Sequence, residues 1–392
     1  MHHDGAVNSE ERTEWIAGKA RSFGFELCGV APAENFIELE RLPEWLARGY
    51  AGEMKYLHDS RRGDPAQVLD GARSIIVCAL NYGGTAQAYS TEVPASASGD
   101  PPRGWISRYA WGDDYHEIFR AKLDMLLAAM RAEFAEPFSA RAYVDTGPIV
   151  ERIAAHHAGL GWLAKNTMLI NEQLGSWLFL GVILTTLDLA PSVRGGESLP
   201  ADLCGNCRLC IDACPTDAIV EPHILDARRC ISYLSIELRG AIPEEFRNAM
   251  GRMVFGCDIC QDVCPWNRNA PAAHLANFLP RALPLPHDAL SDVPDDRRGN
   301  DGDGSLFAPM LETLATLTAG EFSEIFRGSA VKRTKWRGLV RNACIALGNA
   351  KVARDSGQHA SITATLERLV ASGDSTIAEH AQWALDRLNR AD

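Results

Sequence analysis

The chain contains the string Cys204-Gly-Asn-Cys207-Arg-Leu-Cys210-Ile-Asp-Ala-Cys214-Pro215. A second string, Cys257-Asp-Ile-Cys260-Gln-Asp-Val-Cys264-Pro265, repeats the end of the first, and Cys230 lies between the two. The chain has 11 cysteines, and eight of them fall between residues 204 and 264. The other three, Cys28, Cys78 and Cys344, are scattered and are expected to be packed in the interior. The clustered cysteines therefore decide what this part of the chain folds around.

The spacing of the first string, Cys-x2-Cys-x2-Cys-x3-Cys-Pro, is typical of bacterial ferredoxins that carry two [4Fe-4S] clusters. In those proteins the first three cysteines hold one cluster and the fourth binds the other. The second string lacks the middle cysteine, and Cys230 is the obvious replacement. The ferredoxin rule assigns one cluster to Cys204, Cys207, Cys210 and Cys264, and the other to Cys214, Cys230, Cys257 and Cys260. Two zinc sites are the alternative, although zinc ribbons use paired Cys-x2-Cys knuckles.

The composition excludes several classes of protein. The 392 residues are 46% hydrophobic and 23% charged, which suits a chain with two or three folded domains. The longest apolar run, 177–184, is shorter than a membrane-spanning helix. The N-terminus lacks the features of a signal peptide, so we expect a cytoplasmic protein with reduced cysteines rather than a disulfide framework. The net charge of −12 opposes nonspecific binding to nucleic acid, so any such site must be a local basic patch.

The pattern along the chain predicts three parts. Residues 1–190 mix helical and strand-like segments, which indicates an α/β or α+β domain of undetermined strand order. Predicted strands lie at 25–30, 74–80, 140–145 and 177–187, and predicted helices at about 9–22 and 114–133. Residues 191–280 contain the cysteines. Residues 281–392 begin with a Pro-, Asp- and Gly-rich linker to about 304 and continue as helices.

A three-residue pattern recurs in the C-terminal part. Ala343, Ala346 and Leu347 are followed 38 residues later by Ala381, Ala384 and Leu385. This offset suits two units of a HEAT-like helical repeat. Two copies are few, so an ordinary helical bundle remains the alternative.

A basic segment precedes this repeat. Five positive charges and no acid lie between residues 331 and 341, and Trp336 is interleaved with them. The charged residues are Lys332, Arg333, Lys335, Arg337 and Arg341. Such a segment suits phosphate contacts and stacking on a splayed base, and the alternative is a solvated helix face with the tryptophan packed inward.

Several blocks together resemble the epoxyqueuosine reductase family. They are Ala142-Tyr-Val-Asp145-Thr-Gly-Pro148-Ile-Val-Glu-Arg152, Gly161-Trp-Leu-Ala-Lys165-Asn166-Thr-Met-Leu-Ile170, Arg108-Tyr-Ala-Trp-Gly-x-Asp-Tyr-His116, the first cysteine string, and Trp336-Arg-Gly-Leu-x-Arg341-Asn-Ala. The blocks are in the family's order and cover the chain from about residue 10 to its end. The combination is highly specific, although each block alone is not.

The resemblance implies a cobalamin-dependent iron-sulfur enzyme that reduces epoxyqueuosine to queuosine at the wobble position of tRNA, the last step of queuosine biosynthesis. It implies an α+β multidomain fold: a cobalamin-binding α/β domain related to that of reductive dehalogenases, a ferredoxin-like domain with two [4Fe-4S] clusters, and a HEAT-like helical domain that binds tRNA. Electrons from an unidentified low-potential donor are expected to pass through the clusters to cobalamin. A monomer that binds the anticodon stem-loop and no membrane is the family expectation.

The resemblance also implies roles for individual residues. Asp145 is expected to donate a proton to the opened epoxide, which near neutral pH requires a pKa raised by burial. Arg62, Arg108, Asp145, Lys165 and Asn166 are candidate contacts to cobalamin. Without the resemblance, Asp145 is a turn or helix-cap residue and the others are structural ion pairs or turn residues. The Asp-x-His-x-x-Gly cobalamin motif is absent, because Asp114-Tyr-His116-Glu-Ile-Phe lacks the glycine.

Two rival functions are also compatible with the sequence. One is a dehalogenase-like reductase of small molecules, for which the basic segment and the helical tail are incidental. The other is an electron-transfer protein without catalytic activity, whose N-terminal part only docks a partner. The first predicts turnover that is insensitive to loss of the basic residues, and the second predicts no cobalamin binding.

Overall fold

A computed structural model describes residues 8–83, 102–283 and 305–390. Residues 84–104, rich in Gly, Ser, Ala and Pro, are a predicted surface loop, and most of them lie outside these ranges, as does most of the predicted linker at 281–304. Over the described residues, no helix has both the length and the apolar character needed to cross a membrane.

The N-terminal part mixes helices with strands, as predicted. Its helices are α1 (Ser9–Ser22), α2 (Leu42–Ala47), α3 (Tyr115–Glu133) and α4 (Glu151–His157). Its strands are β1 (Leu27–Pro32), β2 (Ser74–Asn81), β3 (Trp105–Ile106), β4 (Ala140–Tyr143), β5 (Trp162–Leu163), β6 (Leu169–Ile170) and β7 (Leu178–Thr185). A capping box between Asn8 and Glu11 starts α1. Asp114 caps α3 by accepting a hydrogen bond from the backbone N–H of His116.

Four of these strands form one sheet in the order β1-β2-β7-β4, with every neighbouring pair antiparallel. The central strand β2 is buried along its whole length, because alternate side chains enter different cores. Ile76 packs in the core that contains residues of α1 and α3, whereas Val77 packs in the core that contains residues of α4. This double burial explains the continuous apolar run of β2. The edge strand β4 leads directly to Asp145.

The cysteine-rich part consists of short elements. Its helices are α5 (Leu209–Asp212), α6 (Ile231–Ile236), α7 (Glu244–Arg247) and α8 (Ile259–Asp262), and its strands are β8 (Ile219–Glu221), β9 (Ile224–Leu225) and β10 (Met253–Phe255). Helix α5 lies just before Cys214, and helix α8 lies just before Cys264, the last cysteine of the second string. The two helices contact each other. Strand β10 pairs in parallel with β3, which joins this part to the N-terminal half.

The C-terminal part is helical, as predicted. It contains α9 (Leu311–Thr316), α10 (Ala319–Ile325), α11 (Lys335–Gly348), α12 (Gly357–Val370) and α13 (Ser375–Asn389). The six residues of the 38-residue repeat are all buried, three on α11 and three on α13. These two helices approach so closely that a Cβ on Gly348 would lie 2.8 Å from the Cα of Ala384. Small residues recur in the repeat because they permit this approach.

One hydrophobic core joins all three parts. It contains Trp105 and Trp111 from the N-terminal half, Val254 and Phe255 from β10, and Leu339 with many neighbours from the C-terminal helices. The C-terminal helices are therefore not a separate lobe. They complete a core that the cysteine-rich part and residues 105–111 begin.

Candidate active site and cluster loops

Asp145 lies in a tight turn two residues beyond the end of β4. Its φ is +58°, a left-handed conformation that aspartate adopts more readily than most side chains. The backbone N–H of Thr146 donates to the carbonyl of Val144 at 2.6 Å. A Cβ on Gly147 would lie 2.4 Å from the ring of Tyr143, so the turn requires glycine there. The sequence Asp-Thr-Gly-Pro thus places an exposed carboxylate on a constrained turn.

The start of α3 supplies the partners of this carboxylate. The hydroxyl of Tyr115 donates to Oδ2 of Asp145 at 3.3 Å, and Nε2 of His116 lies 3.6 Å from the same oxygen. The other ring nitrogen of His116, Nδ1, lies 2.7 Å from Oδ1 of Asp114. Burial disfavours the charged imidazole, but the interactions with both carboxylates outweigh burial and raise the pKa of His116 to about 9.

The pKa of Asp145 differs from our expectation. The interaction with His116 lowers the pKa of Asp145 and outweighs desolvation, so the expected rise is not found. The side chain of Asp145 is 67% exposed, which limits the desolvation that a rise would need. Asp145 is thus ionised at neutral pH, and the proton resides on the neighbouring His116.

A second carboxyl group lies beside the turn. Glu151 is the first residue of α4, and its Oε1 is buried without a hydrogen-bond partner in the described part of the chain. Burial and then the negative charge of Asp145 raise the pKa of Glu151 to about 7. No sequence motif distinguishes Glu151 as a titratable group of the site, although it belongs to the same block as Asp145.

Basic and aromatic side chains surround the mouth of the site. Tyr56 is 46% exposed, and the guanidinium carbons of Arg62 and Arg333 lie 5.9 Å and 5.6 Å from its ring centroid. Arg333 also pairs with Glu237 at 2.9 Å, and its charge contributes to the low pKa of Asp145. The basic segment therefore borders the turn that carries Asp145. Sequence reasoning missed Tyr56, which has no motif around it.

The residues of the basic segment differ in their exposure to solvent. Lys332, Arg333, Lys335 and Arg337 are exposed, and Arg337 pairs with Asp374 at 2.6 Å. Trp336 is half-buried, and its indole N–H donates to the carbonyl of Leu317 at 2.6 Å. Arg341 is 1% exposed and donates to the carbonyls of Leu234, Leu238 and Gly240. A guanidinium held in this way cannot reach an RNA phosphate, so Arg341 is removed from the predicted tRNA contacts.

The eight clustered cysteines gather into two groups. The charge of the Cys210 thiolate interacts with those of Cys264, Cys204 and Cys207. In the other group, Cys257 and Cys260 both interact with Cys230, and Cys230 interacts with Cys214. Cys260 also interacts with Cys210, so the two sets adjoin each other, and the assignment of each set to one cluster stays a prediction. Over the described ranges, no three His, Cys, Asp or Glu side chains are placed to hold a single metal ion.

Three of the five predicted cobalamin contacts lie against the cluster loops. The guanidinium of Arg108 is 4% exposed, stacks between the rings of Trp111 and Trp177, and lies 3.8 Å from Asp262. Lys165 donates from Nζ to the carbonyls of Gly205 and Cys207 at 2.5 Å and 2.9 Å. Asn166 donates to the carbonyl of Cys260 at 3.1 Å. These side chains are committed to the loops that carry the cysteines, and Arg62 alone borders the site of Asp145.

Comparison with known proteins gives the family. Residues 203–267 match the model of a 4Fe-4S double cluster binding domain, and residues 62–146 match that of epoxyqueuosine reductase QueG. The chain therefore carries the iron-sulfur domain that the cysteine spacing predicts, and the zinc alternative is set aside.

Whole-length relatives agree with these matches. An epoxyqueuosine reductase of Shewanella oneidensis is 37% identical over 96% of this chain and 88% of its own length. One of Gloeobacter violaceus is 41% identical over 85% of this chain and 95% of its own length. Both alignments extend through all three parts of the fold.

Solved structures agree as well. A crystal structure of epoxyqueuosine reductase with an epoxyqueuosine-modified tRNA-Tyr stem loop is 29% identical, covers 96% of this chain and 90% of its own, and has a TM-score of 0.78. A Bacillus subtilis epoxyqueuosine reductase with its catalytic loop swung out of the active site is 28% identical over the same shares, with a TM-score of 0.76. This chain belongs to the epoxyqueuosine reductase family.

Proposed function

We propose that this chain reduces epoxyqueuosine in tRNA to queuosine, the last step of queuosine biosynthesis. The observation that carries this proposal is the agreement with epoxyqueuosine reductases over nearly the whole chain, both in sequence and in fold. We further propose that it works as a cytoplasmic monomer and takes electrons from an external low-potential carrier.

The reaction requires two electrons and two protons for each epoxide, and it releases one water as the alkene forms. The cysteines of the two groups hold [4Fe-4S] clusters, which carry electrons singly. Cobalamin, when bound, would supply a strongly reducing cobalt centre at the epoxide carbon. The residues around Asp145 then have to bind the substrate and transfer the two protons to it.

The surroundings of Asp145 suit cobalamin, whose corrin carries many amide groups. The buried Oε1 of Glu151 is a hydrogen-bond acceptor without a partner in the described residues, which a corrin amide N–H could satisfy. Arg62 and Asp145 are the predicted contacts that border the same space. Arg108, Lys165 and Asn166 are not retained as contacts, because their polar groups bind the cluster loops.

We assign the proton donation to Asp145, with His116 as its source. Opening of the epoxide leaves an alkoxide, and an acid within hydrogen-bond reach can protonate it. Because Asp145 is ionised and His116 is protonated at neutral pH, the proton has to pass from His116 through Asp145 to the oxygen. Asp114 holds the other ring nitrogen of His116 and so orients the imidazole.

Four exposed basic residues form the proposed tRNA surface: Lys332, Arg333, Lys335 and Arg337. Phosphate contacts by such residues supply affinity that falls steeply with salt. Arg333 lies at the mouth of the site beside the exposed ring of Tyr56, where a splayed base could stack. Trp336 supports this surface from below, because its indole N–H is bound to Leu317.

The function is tested by anaerobic turnover with a chemical reductant, reconstituted clusters, added cobalamin and tRNA that carries epoxyqueuosine. Mass spectrometry of the digested nucleosides should show queuosine. In a strain without this gene and without another such reductase, epoxyqueuosine should accumulate, and the gene should restore queuosine. Unchanged queuosine in that strain would overturn the proposal and favour a reductase of small molecules. Failure to bind cobalamin would favour the electron-transfer function.

The tRNA surface has its own test. The double variant Lys332→Gln/Lys335→Gln should raise the KM for tRNA several-fold at physiological salt and should reduce the salt dependence of binding. The matched control is Lys351→Gln/Arg131→Gln, which removes the same charge from exposed positions elsewhere. Equal effects of the two double variants would exclude a local tRNA surface at 332–337.

A further inference from the structure

A short hairpin reaches from the N-terminal half to both cysteine loops. Strands β5 and β6 pair antiparallel, and at the tip Ala164 donates to the carbonyl of Met168 at 2.8 Å. Thr167 has a φ of +67° and donates to the carbonyl of Ala164 at 2.8 Å. Arg152 of α4 binds the carbonyl of Thr167. These contacts fix the two residues at the tip, Lys165 and Asn166.

Lys165 brings a positive charge to one cysteine loop. Its ammonium donates to the carbonyls of Gly205 and Cys207 at 2.5 Å and 2.9 Å, and its side chain is only partly exposed. Both carbonyls belong to the loop that holds Cys204, Cys207 and Cys210. The charge therefore lies close to the cluster that these cysteines and Cys264 hold, which we call the first cluster.

The same hairpin directs N–H groups at a ligand sulfur of the first cluster. Burial raises the pKa of the Cys204 thiol, the backbone N–H of Lys165 and the indole N–H of Trp162 lower it, and the carboxyl group of Asp202 raises it. The indole nitrogen of Trp162 is buried and has no hydrogen-bond partner within the described residues. A buried N–H without a partner, close to a cysteine sulfur, suits a hydrogen bond to a cluster thiolate.

The second cluster, held by Cys214, Cys230, Cys257 and Cys260, has different surroundings. From the hairpin it receives only the neutral amide of Asn166, bound to the carbonyl of Cys260 at 3.1 Å. The carboxyl groups of Asp258 and Asp262 are buried in its loop; the backbone N–H of Arg108 donates to Asp258 at 2.7 Å, and its guanidinium lies 3.8 Å from Asp262. The first cluster thus faces the buried end of Lys165 and the carboxyl group of Asp202, which binds the backbone N–H of Cys204 at 2.8 Å, whereas the second faces two carboxyl groups and one guanidinium.

We propose that the tip of this hairpin sets the two clusters to different reduction potentials, with Lys165 raising the potential of the first cluster. Reduction adds one electron and no proton to a [4Fe-4S] cluster, so it makes the cluster more negative by one charge. A fixed ammonium and N–H donors at the sulfur stabilise that added charge. Lys165 is in this sense a positioning and tuning residue, and Asn166 holds the other loop without adding charge.

The test is a redox titration of the full chain with reconstituted clusters, poised with dithionite and mediators and followed by electron paramagnetic resonance. In Lys165→Gln, the ratio of reduced to oxidised first cluster at a fixed potential should fall about tenfold, which is about 59 mV for a one-electron couple. Lys165→Arg keeps the charge and should stay within about twofold to threefold. Only one of the two titration steps should move.

The matched control is Arg208→Gln. Arg208 stands between Cys207 and Cys210, but its side chain is 58% exposed and pairs with Asp212. Solvent screens its charge, so its loss should shift the titration far less than loss of Lys165. Equal shifts for the two variants, or no shift for Lys165→Gln with iron and sulfide content unchanged, would overturn the proposal.

A second variant keeps the proposal testable if Lys165→Gln loses its cluster. Trp162→Phe keeps an aromatic ring in the buried site and removes only the N–H, and it should lower the same ratio about threefold. An unmoved titration in Trp162→Phe would then overturn the proposal. Because these titrations need neither tRNA nor cobalamin, their failure would leave the proposed function untouched.

Discussion

The hairpin tip at Lys165 and the turn at Asp145 hold their polar groups in opposite ways. At the tip, Lys165 and Asn166 bind backbone carbonyls at 2.5–3.1 Å, and Asn166 is 4% exposed. At the turn, Asp145 is 67% exposed and has two side-chain partners, at 3.3 Å and 3.6 Å. The hairpin tip, in the part proposed to carry electrons, is therefore held by short bonds to backbone carbonyls, whereas the carboxylate proposed to deliver protons has fewer and longer contacts.

This difference suits the two tasks. Electron transfer between clusters needs constant separations, and buried polar networks that are fully satisfied provide rigidity. A proton donor has to admit a bulky substrate and then meet it, so a mobile turn is useful. The related Bacillus subtilis structure, with its catalytic loop swung out, is an instance of such movement in the family.

The largest expected effect concerns the electron-carrying part. Cys260→Ala removes a ligand from the second group and should abolish turnover, because its cluster is lost or cannot be reduced. Iron analysis and electron paramagnetic resonance measure this directly. Cys344→Ala is the control, since Cys344 is fully buried in α11, away from both groups. Full activity in Cys260→Ala would show that the second cluster is not on the electron path.

The next effect concerns the proton-delivering part. Asp145→Asn keeps the shape of the side chain and removes its acid–base function, so single-turnover rates should fall about 10²–10⁴-fold. The iron content and the cluster potentials should not change, because the turn does not touch the cysteine loops. A variant with near-normal rates would assign the proton to another group, and Glu151 would be the first to examine.

His116 should make the turnover depend on pH. Its pKa of about 9 lies above the ordinary 6.5, so its protonated form and the associated stabilisation are fully present below about pH 6.5 and are lost as the pH rises through about 9. The wild-type rate should fall over that alkaline range. In His116→Gln the rate at pH 7 should be about tenfold lower and the alkaline fall should disappear. An unchanged alkaline fall would remove His116 from the proton path.

The smallest effect is a difference in mobility. Amides of residues 144–149 should exchange with deuterium faster than those of residues 163–168, because the hairpin tip is closed by backbone bonds at 2.8 Å and by Arg152. Hydrogen exchange with mass spectrometry resolves these two peptides. Slower exchange in 144–149 would contradict the contrast between a fixed tip and a loose turn.

Local patterns in the sequence predicted the local features of the fold. Cysteine spacing predicted the iron-sulfur domain, and Asn8 with Glu11 predicted the start of α1. The continuous apolar run of β2 indicated a buried strand. Each of these depends on residues that are close together in sequence, so their spacing carries the information.

The hydrogen-bond partners of individual polar side chains could not be predicted in this way. Arg341 binds carbonyls about 100 residues earlier in the chain, and Asn166 binds one 94 residues later. A backbone carbonyl exists at every residue, so no sequence motif marks these partners. The pKa of Asp145 likewise depends on His116, which a different element supplies.

The core that contains Trp105, Phe255 and Leu339 holds the C-terminal helices at a set distance from the N-terminal half. It makes the cysteine-rich part and the C-terminal helices one cooperative folding unit, so removal of the helices would expose a continuous apolar face. The distance between the basic residues at 332–337 and Asp145 is therefore fixed. An RNA loop bound at the proposed surface then has to match this length, because the shared core of the described residues holds both ends of the distance.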